Sequence, residues 1–403
     1  MATYTPGQGN PGPIEWAEGV DAALPDASRL TTGTVADARL PVSAQAATLS
    51  ATYASRPSSA RITAQGLPTW VRKRVLAQLA HSPCRILCVG DSTTAGVYSD
   101  SYTSAIGTTN QGGPNSWPSQ LAARLVAAGL PAEYSLCLPG HTGNDDSRWA
   151  IGGWGYAGYG AGSNGVLTSA SAGLAATVTP GIAADTYIVH FMGDPGTGVF
   201  TAQATGGTLV SISTVLSAGV PGSATITASA VSAANVITLT NSSGTVFVTG
   251  VESYTAATPN KIRVMNAGVG GSTAAQWAAT GWTNGISFIG GMAPDLTIIS
   301  LGINDAAASE TTATVLTAVE AIATAAAASG DVLLMSAIPH STAGLVDQYN
   351  AAYYGTTYPY VDLQLRYGNT AQAMGLITTD NTHPNAMGYG DIAAAVASAL
   401  LAA

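Results

Sequence analysis

The sequence predicts an α/β protein: a three-layer α/β/α unit on a mostly parallel five-stranded sheet, with an all-β sandwich inserted into it. Three observations carry this. Short strand-like runs recur at 86–89, 261–265, 296–301, 332–335 and 360–363, and the first, four consecutive apolar residues ending at Gly90, reads as a strand buried on both faces. Helical periods lie between and beside them, and that alternation implies a parallel sheet covered on both sides. Between about 140 and 254 the helical period vanishes and short alternating strands take over.

Residues 1–65 contain Pro6, Pro11, Pro13, Pro25, Pro41 and Pro57 and sustain no period, so an extended arm or linker is expected, with one short helix near Ile14–Leu24. Residues 66–140 open the α/β unit. Trp70–Leu79 reads as a helix, and Ile86–Val89 as a strand running into Gly90-Asp91-Ser92. Trp117–Leu130 follows as a helix, with Leu121, Leu125 and Ala128 on one face and Gly129 as its stop.

Residues 141–258 are expected to form the sandwich. Strands are predicted at 186–192, 199–204, 209–213, 224–229, 236–240 and 245–249, with Gly206-Gly207 and Asn241–Gly244 as turns. Tyr187, Val189 and Phe191 alternate as a core face does. Trp154, Tyr156 and Tyr159 stand in a glycine-rich loop that cannot bury three aromatics by itself, so they are candidate ligand contacts. Residues 259–403 return to α/β texture. Thr312–Ala328 is helical, with Val315, Val319 and Ile322 aligned and Gly330 closing it. A last helix after Pro384 carries Ile392, Val396 and Leu400.

Composition excludes several function classes. The net charge is −9 with only 13 basic residues, which argues against a nucleic-acid partner. No run of about 18 apolar residues occurs, so no membrane span is expected. Residues 1–7 lack a basic segment leading into an apolar core, so no secretion signal is expected. Cys84, Cys88 and Cys137 cannot all pair with one another, and no Cys/His spacing suggests zinc, so neither a metal nor a cofactor is called for.

The chemistry-bearing residues sit where strands end. Ligands of open α/β sheets bind beyond the carboxyl ends of the strands, and there the sequence offers Ser92, then Asn266–Thr273 with Gly271, then Gly302-Ile303-Asn304-Asp305. Asp380-Asn381-Thr382-His383-Pro384 precedes the last helix. Acyl transfer needs a nucleophile, a base and oxyanion donors. Ser92 can supply the first. The imidazole of His383 suits the second, with Asp380 to hold its other ring nitrogen. The Asn304 amide and the backbone N–H groups of Ser92 and Gly271 suit the third. Taken singly, Gly-Asp-Ser is also a turn sequence, Asn304-Asp305 also suits a turn cap, and Asp380 could cap the final helix.

Gly-Asp-Ser, a glycine turn after the second strand, Gly-x-Asn-Asp and Asp-x-x-His-Pro stand in the order found in the SGNH (GDSL-type) serine hydrolases, which this chain resembles over about 85–96, 261–273, 295–305 and 380–390. The resemblance implies a flavodoxin-like sheet and a serine esterase without a cofactor. It implies Ser92, Asp380 and His383 as triad, and Ser92, Gly271 and Asn304 as oxyanion hole. Gly271 is chosen over Gly268 and Gly270 because it falls five residues after Asn266, as the family's glycine does. Two departures are Thr93, where many members have leucine, and the long gap between the first and second motifs, which implies the insertion. Asp91 and the three loop aromatics are candidate substrate contacts. Gly33–Pro41 is similar to a phrase of bacteriophage tail-fibre proteins, which makes the arm a candidate for self-association and virion attachment. The expected substrate is an acylated glycan. A lipid or small ester is the alternative, and so is an inactive receptor-binding protein.

Overall fold

The computed structural model describes residues 60–61, 66–109, 111–141, 144–156, 165–193, 198–217, 219–279, 285–338, 343–367 and 374–403, which lie in one compact unit. The expectations for an arm with a helix near 14–24, for the tail-fibre-like phrase at 33–41 and for Tyr159 all fall outside these residues.

The organising sheet has seven strands. In spatial order they are Ala60–Arg61, Tyr360–Val361, Asp331–Met335, Leu296–Ser300, Cys84–Gly90, Ile262–Gly268 and Ala132–Tyr134. All neighbours pair in parallel except Ala60–Arg61, which runs antiparallel to Tyr360–Val361. The expected five-stranded sheet is therefore corrected to seven. The additions are the edge strands, of 2 and 3 residues, too short to show any period.

Strand geometry sends successive side chains to opposite faces, and the central strand shows the consequence. Ile86 and Cys88 join one apolar cluster with the helices Pro68–Gln78, Trp117–Ala127 and Ala386–Ala402. Leu87 and Val89 join the other, with Ala274–Ala278, Ile286–Met292, Thr312–Ala327 and Ala343–Tyr354. Helices thus cover both faces, and the unbroken apolar run Ile86–Val89 follows from burial on each side. Cys84, Cys88 and Cys137 are buried free thiols; burial pushes the Cys88 thiol well above its usual range, so it acts as a small core side chain.

Between Ala132–Tyr134 and Ile262–Gly268 the described chain is entirely strand and loop. It makes two larger antiparallel sheets. The first is ordered Val210–Ser213, Val199–Ala204, Ile237–Ser243, Ala175–Val178, Trp149–Ala150. The second is ordered Pro221–Ser232, Ala184–Met192, Val246–Tyr254, Leu167–Ser169, Gly155–Tyr156, with Leu136–Cys137 also on Val246–Tyr254. Tyr187, Val189 and Phe191 from one sheet and Phe200, Ala202 and Leu239 from the other share a single apolar cluster.

A buried ionic knot ties these strands to the parallel sheet. Glu252, fully buried on Val246–Tyr254, accepts from Arg85 Nη2 of the central strand at 2.6 Å and from Arg263 Nη1 of the next strand at 2.9 Å. His190 Nε2 lies 3.3 Å from the same carboxylate. Burial works to raise the Glu252 carboxyl, but the contacts to His190, Arg85 and Arg263 outweigh it and hold the pKa at about 2.

Candidate active site

Three strands end level at one edge of the parallel sheet. Gly90 is in register with Gly268 on one side and with Ser300 on the other. The segments that follow, Asp91-Ser92, Val269–Ser272 and Leu301–Asn304, therefore emerge side by side at the carboxyl edge.

Ser92 is the first residue of the short helix Ser92–Ala95, so its N–H is one of those a helix leaves without an intrahelical acceptor. Asp91 is the N-cap: its Oδ1 accepts from the Thr93 N–H and the Thr93 hydroxyl, both at 2.8 Å. Asp91 is 1% exposed, and burial raises its carboxyl pKa. The expected substrate contact at Asp91 is thus replaced by a capping role. Gly90 is required by close packing, because a Cβ there would lie 2.1 Å from Thr94 Oγ1 and 2.6 Å from the Ser300 carbonyl.

The imidazole that faces Ser92 arrives from a loop far along the chain. Thr378 N–H donates to the His383 carbonyl, and Ile377 bridges Pro384, closing a tight turn around Asp380–Thr382. His383 Nε2 lies 2.7 Å from Ser92 Oγ, and His383 Nδ1 lies 2.5 Å from Asp380 Oδ2. Asp380 Oδ1 takes the N–H groups of Thr382 and His383 at 2.9 and 3.0 Å and the Thr378 hydroxyl at 2.7 Å. Burial works to raise the Asp380 carboxyl, but these bonds, led by the imidazole, hold it well below the usual carboxylate range. Asp380 does not cap the last helix. Asn385 does, accepting from the Met387 and Gly388 N–H groups.

On the other side of Ser92, Gly271 has φ +74° in an exposed turn, and its N–H meets no protein acceptor among the described residues. Gly268, by contrast, is buried in its strand, where a Cβ would lie 2.1 Å from the Ala95 nitrogen. Asn304 Nδ2 donates to the Ser272 carbonyl at 2.9 Å. An amide nitrogen carries two protons, so one remains for a ligand. Beside it, both oxygens of buried Asp305 accept from the Ala274 N–H at 3.0 and 3.2 Å. Asn304 and Asp305 together clamp the 271–274 turn. Burial first, and then the nearby Asp91 charge, push the Asp305 carboxyl up to about 6.

Sequence reasoning had no role for Thr378 or Tyr98, whose ring meets the His383 ring edge-on with centroids 5.1 Å apart. For Thr378, a hydroxyl two residues before a candidate carboxylate was the available signal; for Tyr98 there was none. Two loop aromatics fall elsewhere. Trp154 is 3% exposed, packs in the cluster of the antiparallel sheets and donates Nε1–H to the Leu174 carbonyl, so its expected ligand contact is replaced by a core role. Tyr156 is half-buried, its hydroxyl bonded to Asp145 Oδ1 at 2.6 Å and within 3.1 Å of the Pro139 carbonyl. Among the described residues no cluster of His, Cys, Asp or Glu could hold a metal ion, and no helix is long and apolar enough to cross a membrane.

The GDSL-like Lipase/Acylhydrolase family matches residues 239–390, which hold Gly271, Asn304, Asp380 and His383 but not Ser92. No curated protein matches the sequence. Among solved structures, a peptidoglycan O-acetylesterase is similar at a TM-score of 0.60 and 17% identity, over 83% of this chain and 95% of that one. A carbohydrate esterase of family 3 from Talaromyces cellulolyticus aligns over 36% of this chain and 72% of its own, at 21% identity and a TM-score of 0.28. At 17% identity the first likeness is one of fold. The family match itself is confined to residues 239–390.

Proposed function

We propose that the protein is a serine esterase that removes acyl groups, acetyl foremost, from a polysaccharide or cell-surface glycan through an acyl-enzyme. The observation that carries this is the hydrogen-bonded chain from Ser92 Oγ through the His383 ring to Asp380. Ser92 Oγ attacks the ester carbonyl while His383 Nε2 takes its proton, and Asp380 keeps Nδ1 protonated and the ring oriented. The oxyanion is met by the N–H groups of Ser92 and Gly271 and the second Nδ2 proton of Asn304. Collapse expels the sugar alkoxide, which takes the proton from His383 and leaves acyl-Ser92. Water, deprotonated by His383, then attacks the acyl carbon and frees the carboxylic acid, restoring the serine.

Acetyl on a glycan is favoured by the peptidoglycan O-acetylesterase fold likeness, which covers 83% of this chain. We carry the division at about 140 and 258 as part of the same reading: the two antiparallel sheets form a sandwich inserted into the catalytic unit. The test is acetate release from O-acetylated polysaccharide, compared with acid release from long-chain lipid esters. Acetate release that disappears in Ser92→Ala is expected. Preferential cleavage of the lipid esters would favour a lipase, and glycan binding without any turnover would favour an adhesin.

A further inference from the structure

The strongest backbone outlier near the site is Tyr98. It has φ +63°, a left-handed conformation that a bulky side chain rarely adopts. Such strain persists only where the surroundings over-determine it, and it gathers where a side chain must be aimed. Here the surroundings do over-determine it. Val97 is pinned through its carbonyl to the buried Tyr389 hydroxyl at 2.8 Å. The Tyr98 N–H donates to the Thr108 carbonyl, and the Tyr98 carbonyl accepts from Ser101. Asp100 takes both the N–H and the hydroxyl of Thr108, shutting the loop at its base.

The same loop grips the segment that carries His383. Thr379 N–H donates to the Ser104 carbonyl and Ala386 N–H to the Ser101 carbonyl, both at 2.7 Å, while Asn385 Nδ2 reaches the Thr103 carbonyl at 3.0 Å. Tyr98 stands six residues after Ser92 and meets His383 edge-on, the two rings inclined at 82°. Hydrogen bonds hold the imidazole only along its Nδ1–Nε2 direction. They leave it free to tip out of that line, and the Tyr98 ring stands where it can block that movement.

We propose that Tyr98 is a positioning residue for the base: the strained backbone aims its ring against His383 and so keeps Nε2 on the Ser92 hydroxyl. This rests on the esterase reading above. The contact needs the ring and not the hydroxyl, so phenylalanine should serve and alanine should not. Glycine separates aim from strain, because it removes the ring and also relieves the positive φ.

The test measures kcat and KM for p-nitrophenyl acetate, together with the melting temperature, in Tyr98→Phe, Tyr98→Ala and Tyr98→Gly. Misplacing a catalytic group slows turnover more than it weakens binding, so Tyr98→Ala should lose about 10- to 100-fold in kcat with KM within about twofold. Tyr98→Phe should restore most of the rate. Tyr98→Gly should be as slow as Tyr98→Ala yet melt no lower. Parent-like kcat in Tyr98→Ala, or a rate in Tyr98→Gly that simply follows its stability, would overturn the inference. Ser92→Ala keeps the two readings apart. If it abolishes turnover while Tyr98→Ala does not slow it, only the positioning role fails; if it leaves turnover intact, the esterase site itself is wrong.

Discussion

His383 and Asp380 meet twice: the imidazole Nδ1 lies 2.5 Å from one carboxylate oxygen, and the backbone N–H of His383 donates to the other at 3.0 Å. One carboxylate therefore fixes both the ring and the peptide that bears it. Asp380→Asn keeps the shape but presents the wrong partner to Nδ1, so turnover of an acetyl ester should fall by about 10³–10⁴ with little change in fold. Circular dichroism beside the rate measurement checks this.

The same carboxyl has a stability signature. Its pKa is depressed in the folded protein, so its stabilising contribution is present above the unfolded value of about 4 and is lost as pH falls through the folded one. Asp380→Ala should thus lower the melting temperature at pH 7, and the gap to the parent should close in strong acid. A gap that is constant with pH would contradict the assignment.

Asp305 has the opposite sign. Its folded carboxyl keeps a proton up to about 6, whereas the unfolded chain releases it near 4. Between those values the folded state binds more protons, so stability falls as pH rises through the window and the penalty is complete above it. Asp305→Asn lacks this titration. Its stability relative to the parent should improve from pH 4 to pH 7 by on the order of 2 kcal/mol, as read from urea unfolding.

Asn304→Ala removes the proposed oxyanion donor and the bond to the Ser272 carbonyl, so kcat should fall roughly 10²–10³ with KM little altered. Gly271→Ala has open space for its methyl but an unfavourable φ, which costs about 1–2 kcal/mol. Its loss of turnover should come from a shifted N–H rather than from a clash. Equal kcat in both variants and the parent would remove this side of the site.

Gly90→Ala tests packing rather than chemistry. The added methyl would overlap Thr94 Oγ1, in the helix that Ser92 opens, and the Ser300 carbonyl in the backbone of the neighbouring strand. A loss of about 3 kcal/mol or more, with turnover falling alongside, is expected. Melting temperature and soluble yield report it.

Much of the architecture was legible because burial on both faces leaves uninterrupted apolar runs, as at Ile86–Val89 and Leu296–Ser300. The long helices 117–127 and 312–327 were legible for their apolar stripes. The helix Ile286–Met292 was not, since Gly290-Gly291 sits inside it, and glycine suits helix interiors poorly. Gly291 is tolerated there because the strand residue Pro221 lies too close for any side chain. Trp154 misled for a related reason: the atoms that bury it come from Leu174 and the sheets beyond, which its own glycine-rich neighbourhood does not reveal. The competing roles for Asp380, helix cap or partner of His383, could not be separated along the chain, because only the folded loop shows Asn385 taking the cap.

The Glu252 knot bears on how the molecule can be taken apart. Arg85 and Arg263 belong to the two strands that run on to Ser92 and Gly271, and the carboxylate they share is lent by the antiparallel region, while Glu133 of Ala132–Tyr134 also stands 3.8 Å from Arg263. Excising residues 141–258 would take the shared carboxylate from Arg85, leave Arg263 with Glu133 alone, and bare both guanidinium groups to water. The antiparallel strands thus supply charge and cover to the parallel sheet and are no detachable attachment.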